Sequence, residues 1–102
     1  MMRIGAFGSG GGQLKWPYHA AAAGGECYVS DSENHRIAVF DLDGEFLRCF
    51  GSKGKGAGQL NRPRGLAVHE DFVFVADCDN HRVSIFNCNG QWLGFIGYGA
   101  DV

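Results

Sequence analysis

Phe72-Val73-Phe74-Val75-Ala76 is apolar throughout. A short apolar run of this kind, bounded by turn residues, predicts a strand covered on both faces. Further strands are predicted at Gly65–Val68, Arg82–Phe86 and Trp92–Ile96. Between them lie polar clusters. Asp77, Asp79 and Asn80 can bond local backbone with their side chains. Asn89-Gly90 is a preferred pair for a two-residue hairpin in which both residues take positive φ, and Asp43-Gly44 reads the same way.

The pattern occurs twice. Shifted by 46 residues, the chain matches itself. Gly12-Gln13-Leu14 falls on Gly58-Gln59-Leu60 and Pro17 on Pro63. Asp31 falls on Asp77, and Asn34-His35-Arg36 on Asn80-His81-Arg82. Comparing 12–51 with 58–97 gives 14 identities in 40 positions. The first unit departs in its first strand. His19 stands where Gly65 stands, and four alanines replace Leu66-Ala67-Val68-His69, which predicts a weak, loosely packed strand. Four antiparallel strands in each of two consecutive units is the pattern of propeller blades.

Composition fits short strands and tight turns: Gly 17 and Pro 2 in 102 residues, with 13 % aromatics. The formal net charge is −2, which argues against a basic nucleic-acid arm and an acidic tail. Neither DNA nor a membrane is an expected partner; no apolar run is long enough to span one. Cys27, Cys49, Cys78 and Cys88 form no Cys-x-x-Cys pair and do not follow the repeat. They read as free thiols in a reducing compartment, which points to the cytoplasm.

The series Phe50-Gly51-Ser52-Lys53-Gly54, Gly58-Gln59-Leu60, Pro63-Arg64-Gly65-Leu66-Ala67-Val68, Val75-Ala76-Asp77, Asn80-His81-Arg82-Val83 and Phe86 resembles an NHL repeat. The resemblance implies an all-β fold: two four-stranded antiparallel blades of a β-propeller, the family's rings being commonly six-bladed. It implies the organisation 1–8 outer strand of a preceding blade, 9–51 first repeat, 52–97 second repeat and 98–102 the start of a further inter-blade loop. Two blades cannot close a ring. The others come either from a longer parent chain or from homo-oligomerisation, three copies making six blades. NHL propellers occur in tripartite-motif and other RING ubiquitin ligases, where they select substrate or bind RNA, and also in an amidating lyase.

The resemblance therefore implies a non-catalytic protein-recognition module, plausible as the substrate-recognition part of a ubiquitin ligase whose RING lies outside this chain. An RNA-binding propeller is the alternative. A metal-dependent lyase or hydrolase is a remote one, because no unrepeated His/Asp/Glu set is seen and no cofactor is implied.

Antiparallel alternation sorts the loops onto two faces. One carries Lys15, Arg36, Lys53, Lys55, Arg62, Arg64 and Arg82 against Asp31, Glu33, Asp77 and Asp79. The other carries Asp41, Asp43, Glu45, Glu70 and Asp71 and no base. The basic face suits phosphate or an acidic peptide. Its densest part, Lys53, Lys55, Arg62 and Arg64 with Trp16 and Tyr18 nearby, is the expected partner-binding rim. Asp31, Asn34, His35 and Arg36, and likewise Asp77, Asn80, His81 and Arg82, resemble a catalytic set. Their repetition points to structure instead: a turn needs its chemistry in every unit, a catalytic site only once. The glycine-rich segments Gly8–Gly12 and Gly54–Gly58 read as flexible inter-blade turns, since a phosphate loop must open a helix.

Overall fold

A computed structural model describes residues 6–97. Ten strands run in chain order: β1 Ala6–Phe7, β2 Gln13–Leu14, β3 Pro17–Ala23, β4 Glu26–Asp31, β5 Arg36–Asp41, β6 Phe46–Phe50, β7 Pro63–His69, β8 Phe72–Asp77, β9 Arg82–Asn87 and β10 Trp92–Gly97. Two four-stranded antiparallel meanders result, β3-β4-β5-β6 and β7-β8-β9-β10. The sheets are not joined into a closed ring. The segment 98–102 lies outside the described residues.

The strand β3 forms over its full length despite its alanines, pairing Ala20 with Val29 and Ala22 with Cys27. Pairing comes from the backbone, so small side chains do not prevent it. What they reduce is cover: Ala20 and Ala22 are exposed, whereas Leu66 on β7 is buried. Pro17 and Pro63 each open the innermost strand, a position where the missing N–H breaks no ladder.

The core lies between the sheets. Tyr28, Ile37, Val39 and Phe50 of the first pack against Leu66, Val73, Val75 and Phe86 of the second, with Leu60 of the connecting segment closing one end. The rings of Phe50 and Phe86 sit 4.9 Å apart. Each sheet therefore buries one face against the other. Phe72–Ala76 is a strand covered on one face, not two: Val73 and Val75 are fully buried, while Phe72 is 42 % exposed. A smaller cluster of Val29, Ala38 and Phe40 is covered by Leu14, Cys27 and Phe46.

Two details differ from the sequence reading. Only Gly44 and Gly90 take positive φ in their hairpins, not Asp43 or Asn89. The reason is an aspartate-type turn one step earlier. Asp41 Oδ1 accepts the N–H groups of Asp43 and Glu45, and Asn87 Oδ1 those of Asn89 and Gln91, so a longer turn closes on glycine. Of the segment 1–8, expected as an outer strand, residues 1–5 lie outside the described residues, and Ala6 and Phe7 pair parallel with Gln13–Leu14. The bridge Lys53↔Leu60 repeats this pairing 46 residues on, so Phe7 takes the place of Lys53 in an inter-blade loop.

Candidate partner-binding rim

The repeated Asp, Asn and Arg form a staple. Asp77 is completely buried and accepts three hydrogen bonds: from Asn61 N–H at 2.7 Å, Asn80 Nδ2 at 2.9 Å and Arg82 Nε at 2.9 Å. Arg82 then donates to the carbonyls of Lys55, Gly56 and Gln59, and Asn80 to that of Gly54. The first unit repeats the network. Asp31 accepts from Lys15 N–H at 2.6 Å, Asn34 and Arg36, while Arg36 reaches the carbonyls of Ser9, Gly10 and Gln13. A planar guanidinium with five donors can satisfy a carboxylate and several carbonyls together. The glycine-rich segments are thus tied down by side chains. Gln59 folds back under its own loop, accepting from Gly56 N–H, and the space above Gly54 is filled by that side chain.

The staple sets the rim. Asp31 and Asp77 fix the residues just before Trp16 and Arg62, and both of these take positive φ, 56° and 53°. For bulky side chains that is an unusual conformation. The bonds from Ser32 N–H to the Trp16 carbonyl and from Arg62 N–H to His35 Nδ1 (3.0 Å) hold it. The last one crosses between blades. His35 and His81 also take positive φ, ending the short 3-10 turns Ser32–Asn34 and Cys78–Asn80. Burial first, and Lys53 second, push the His35 imidazole below its ordinary pKa, which keeps Nδ1 free to accept.

Trp16 is 72 % and Tyr18 62 % exposed. Trp16 is therefore surface, not core. Arg64 lies over the Tyr18 ring at 5.4 Å. Arg62 stands between Glu33 (3.5 Å) and Asp79 (3.9 Å). Trp16, Tyr18, Arg62 and Arg64 are so brought to the start of the two inner strands, with Lys53 near His35. Lys55 has its backbone held by Arg82 and its side chain exposed. Arg36 and Arg82 leave the surface charge, because each is neutralised by its buried aspartate. The rim keeps its basic excess, as one acid departs with each base.

Sequence reading missed a second polar group on the opposite edge. Arg48 pairs with Glu26 at 2.8 Å, contacts the Tyr28 hydroxyl and donates to the Cys88 carbonyl of the other blade. Arg48 holds the Glu26 carboxyl below its usual value, while burial is the main reason the Tyr28 phenol is pushed up. The signal was present in the repeat: Glu26, Tyr28 and Arg48 fall on Phe72, Phe74 and Gly94. Among the described residues, no group of three or more His, Cys, Asp or Glu could hold a metal ion, and all four cysteines are free.

A family model described as NHL repeat matches residues 60–86. The RING finger protein nhl-1 of Caenorhabditis elegans is 47 % identical over 49 residues, covering 47 % of this chain and 5 % of that protein. A crystal structure of a Bacteroides fragilis protein superposes with a TM-score of 0.78 over 94 % of this chain at 19 % identity. That likeness concerns the fold alone. This chain spans 27 % of the bacterial protein.

Proposed function

We propose that this chain, which carries an NHL repeat over residues 60–86, is a propeller-type protein-interaction module that recognises an acidic segment of a protein partner through Trp16, Tyr18, Lys53, Lys55, Arg62 and Arg64. One observation carries this reading. Two large aromatic side chains stand in solvent on a basic edge, and the backbone beneath Trp16 is held in a conformation that costs free energy. Strain kept in place by a buried network is a mark of sites under functional constraint. Exposed tryptophan, tyrosine and arginine are the residue types that dominate binding energy at protein interfaces.

Work by binding alone needs no catalytic group, and we propose that the chain has none. In the ubiquitin-ligase setting suggested by the RING-containing worm relative, this module would select substrate and a RING elsewhere would act on it. RNA is the second reading, favoured by Tyr18 and Trp16 as stacking platforms beside Arg64. Glu33 and Asp79 flank Arg62 and would repel a phosphate and a carboxylate alike, so they do not separate the two readings.

The test is an array of acidic, neutral and basic peptides, probed with this chain and with the Arg62→Glu/Arg64→Glu variant. Acidic peptides should bind the parent and lose at least tenfold in affinity with the variant. Equal binding by both proteins would refute the rim. Binding of single-stranded RNA with no acidic peptide bound would transfer the site to the second reading.

A further inference from the structure

The chain holds one Asn-Gly pair, Asn89-Gly90, in the hairpin between β9 and β10. Asparagine before glycine is chemically unstable. The main-chain nitrogen of the following residue can attack the side-chain carbonyl carbon, and glycine, with no side chain, hinders that attack least. Of the five asparagines, Asn89 alone meets the conditions. The amides of Asn34 and Asn80 are tied into the two staples, and Asn87 Nδ2 donates to Gln91. Asn61 is followed by Arg62, whose side chain stands in the way. Asn89 is exposed, and its hydrogen bond among the described residues runs from the backbone N–H to Asn87 Oδ1, so its own amide is left to react. The restraint on the pair is the Gly90 N–H, which donates to the Asn87 carbonyl at 2.9 Å. Bonds in exposed turns open at low free-energy cost, and attack waits for that opening.

The first blade shows what each product would meet. In the 46-residue register Asp41, Asp43 and Gly44 correspond to Asn87, Asn89 and Gly90. Asp41 Oδ1 accepts two N–H groups as Asn87 Oδ1 does, and Gly44 takes φ 89° against 93° at Gly90. The same turn thus already holds an aspartate, and aspartate at 89 fits. Isoaspartate adds a methylene to the main chain at 89 and does not fit. Gly90 lies so close to Phe50 that a Cβ on it would sit 2.9 Å from that side chain. Phe50 belongs to the core between the blades, and Cys88, one residue before Asn89, gives its carbonyl to Arg48 of the other blade.

We propose that Asn89 is a site of spontaneous covalent change to aspartate and isoaspartate, and that the isoaspartate form loosens the seam between the blades at Phe50 and Arg48. The Gly90 nitrogen gives its proton to hydroxide and attacks Asn89 Cγ. The new C–N bond forms, the bond from Cγ to the side-chain nitrogen breaks, and ammonia leaves with a proton taken from water. Water then opens the five-membered imide at one carbonyl or the other, giving the two products. The net change is one water in and one ammonia out, with no oxidant or reductant. The site lies away from Trp16, Arg62 and Arg64, so it stands or falls independently of peptide binding.

The test is to incubate the folded chain for weeks at neutral and at mildly alkaline pH and then cleave it after its basic residues. The peptide 83–102 contains Asn87, Asn89 and Gln91. It should gain the mass of one exchange of NH2 for OH, faster at the higher pH, with fragmentation placing the gain at residue 89. The product should separate into two peptides of equal mass. Asn89→Ser should leave the peptide unchanged. Asn89→Asp should melt with the parent, whereas aged protein enriched in isoaspartate should melt at a lower temperature. No mass gain in the folded chain, or a gain at Asn87 or Gln91 instead, overturns the site. Aged protein that melts together with Asn89→Asp overturns the loosening of the seam.

Discussion

A buried carboxylate that accepts three hydrogen bonds is hard to replace. Asp77 faces an Arg82 whose side chain is 3 % exposed, whereas Arg36 opposite Asp31 is 11 % exposed. Removing one partner of a buried pair leaves the other charge uncompensated. Asp77→Ala should therefore cost about 3–5 kcal/mol in a denaturant titration, and Asp31→Ala less, since water can reach Arg36. Ser84 gives a change of opposite sign. Its hydroxyl is buried without a hydrogen-bond partner, and the equivalent residue in the first unit is the buried Ala38. Ser84→Ala should raise stability by about 1 kcal/mol, by relieving an unsatisfied polar group. His35 brings pH dependence. Its pKa is lowered in the folded chain, so the unfolded chain binds the extra proton first. Stability should be full above the ordinary histidine value of 6.5 and fall as pH drops below it. His35→Asn tolerates the positive φ and should remove that slope in thermal melts collected across pH.

At the scale of strands and loops, the blades are joined by Arg48 on one edge and by the Arg62–His35 bond on the other. Arg48→Ala removes two bonds to the Cys88 carbonyl and leaves Glu26 without its cation, held by the Tyr28 hydroxyl. It should cost about 1.5–3 kcal/mol, the range for hydrogen bonds to a charged group. Arg48→Lys should recover only part, because lysine lacks the guanidinium fork. Much of this level was legible in the sequence. All four strands of the second unit lie where apolar runs and turn residues place them, within two residues at each end. What could not be read was cover. An apolar run states that a strand wants burial, but not which of its faces the described residues cover: Val73 is buried and Phe72 is 42 % exposed. Trp16 shows the reverse difficulty. Its exposure follows from a backbone conformation imposed by Asp31, fifteen positions on, and no local pattern reports that. Arg48 was hidden for a third reason: its partners are a carboxylate on a distant strand and a main-chain carbonyl of the other blade.

Across the whole molecule, one face is organised by two copies of the same staple, and the rim is what that face holds out. The repeat explains the staple, and departures from the repeat mark what is particular to this chain. Trp16 and Tyr18 stand where the second unit has Arg62 and Arg64, so the rim is aromatic on one blade and basic on the next. That division suits a ligand lying across both blades. Trp92 packs against the core and Trp16 stands in solvent, which makes Trp16 a reporter once Trp92→Phe silences the other. The most direct measurement is a fluorescence titration of that variant with an acidic peptide selected from the array, with and without Arg62→Glu/Arg64→Glu. Recognition at the rim predicts a saturable change in Trp16 emission that weakens with salt and is lost with the two charge reversals. Emission that stays constant while the peptide binds, or a change that survives the reversals, would place recognition elsewhere on the molecule.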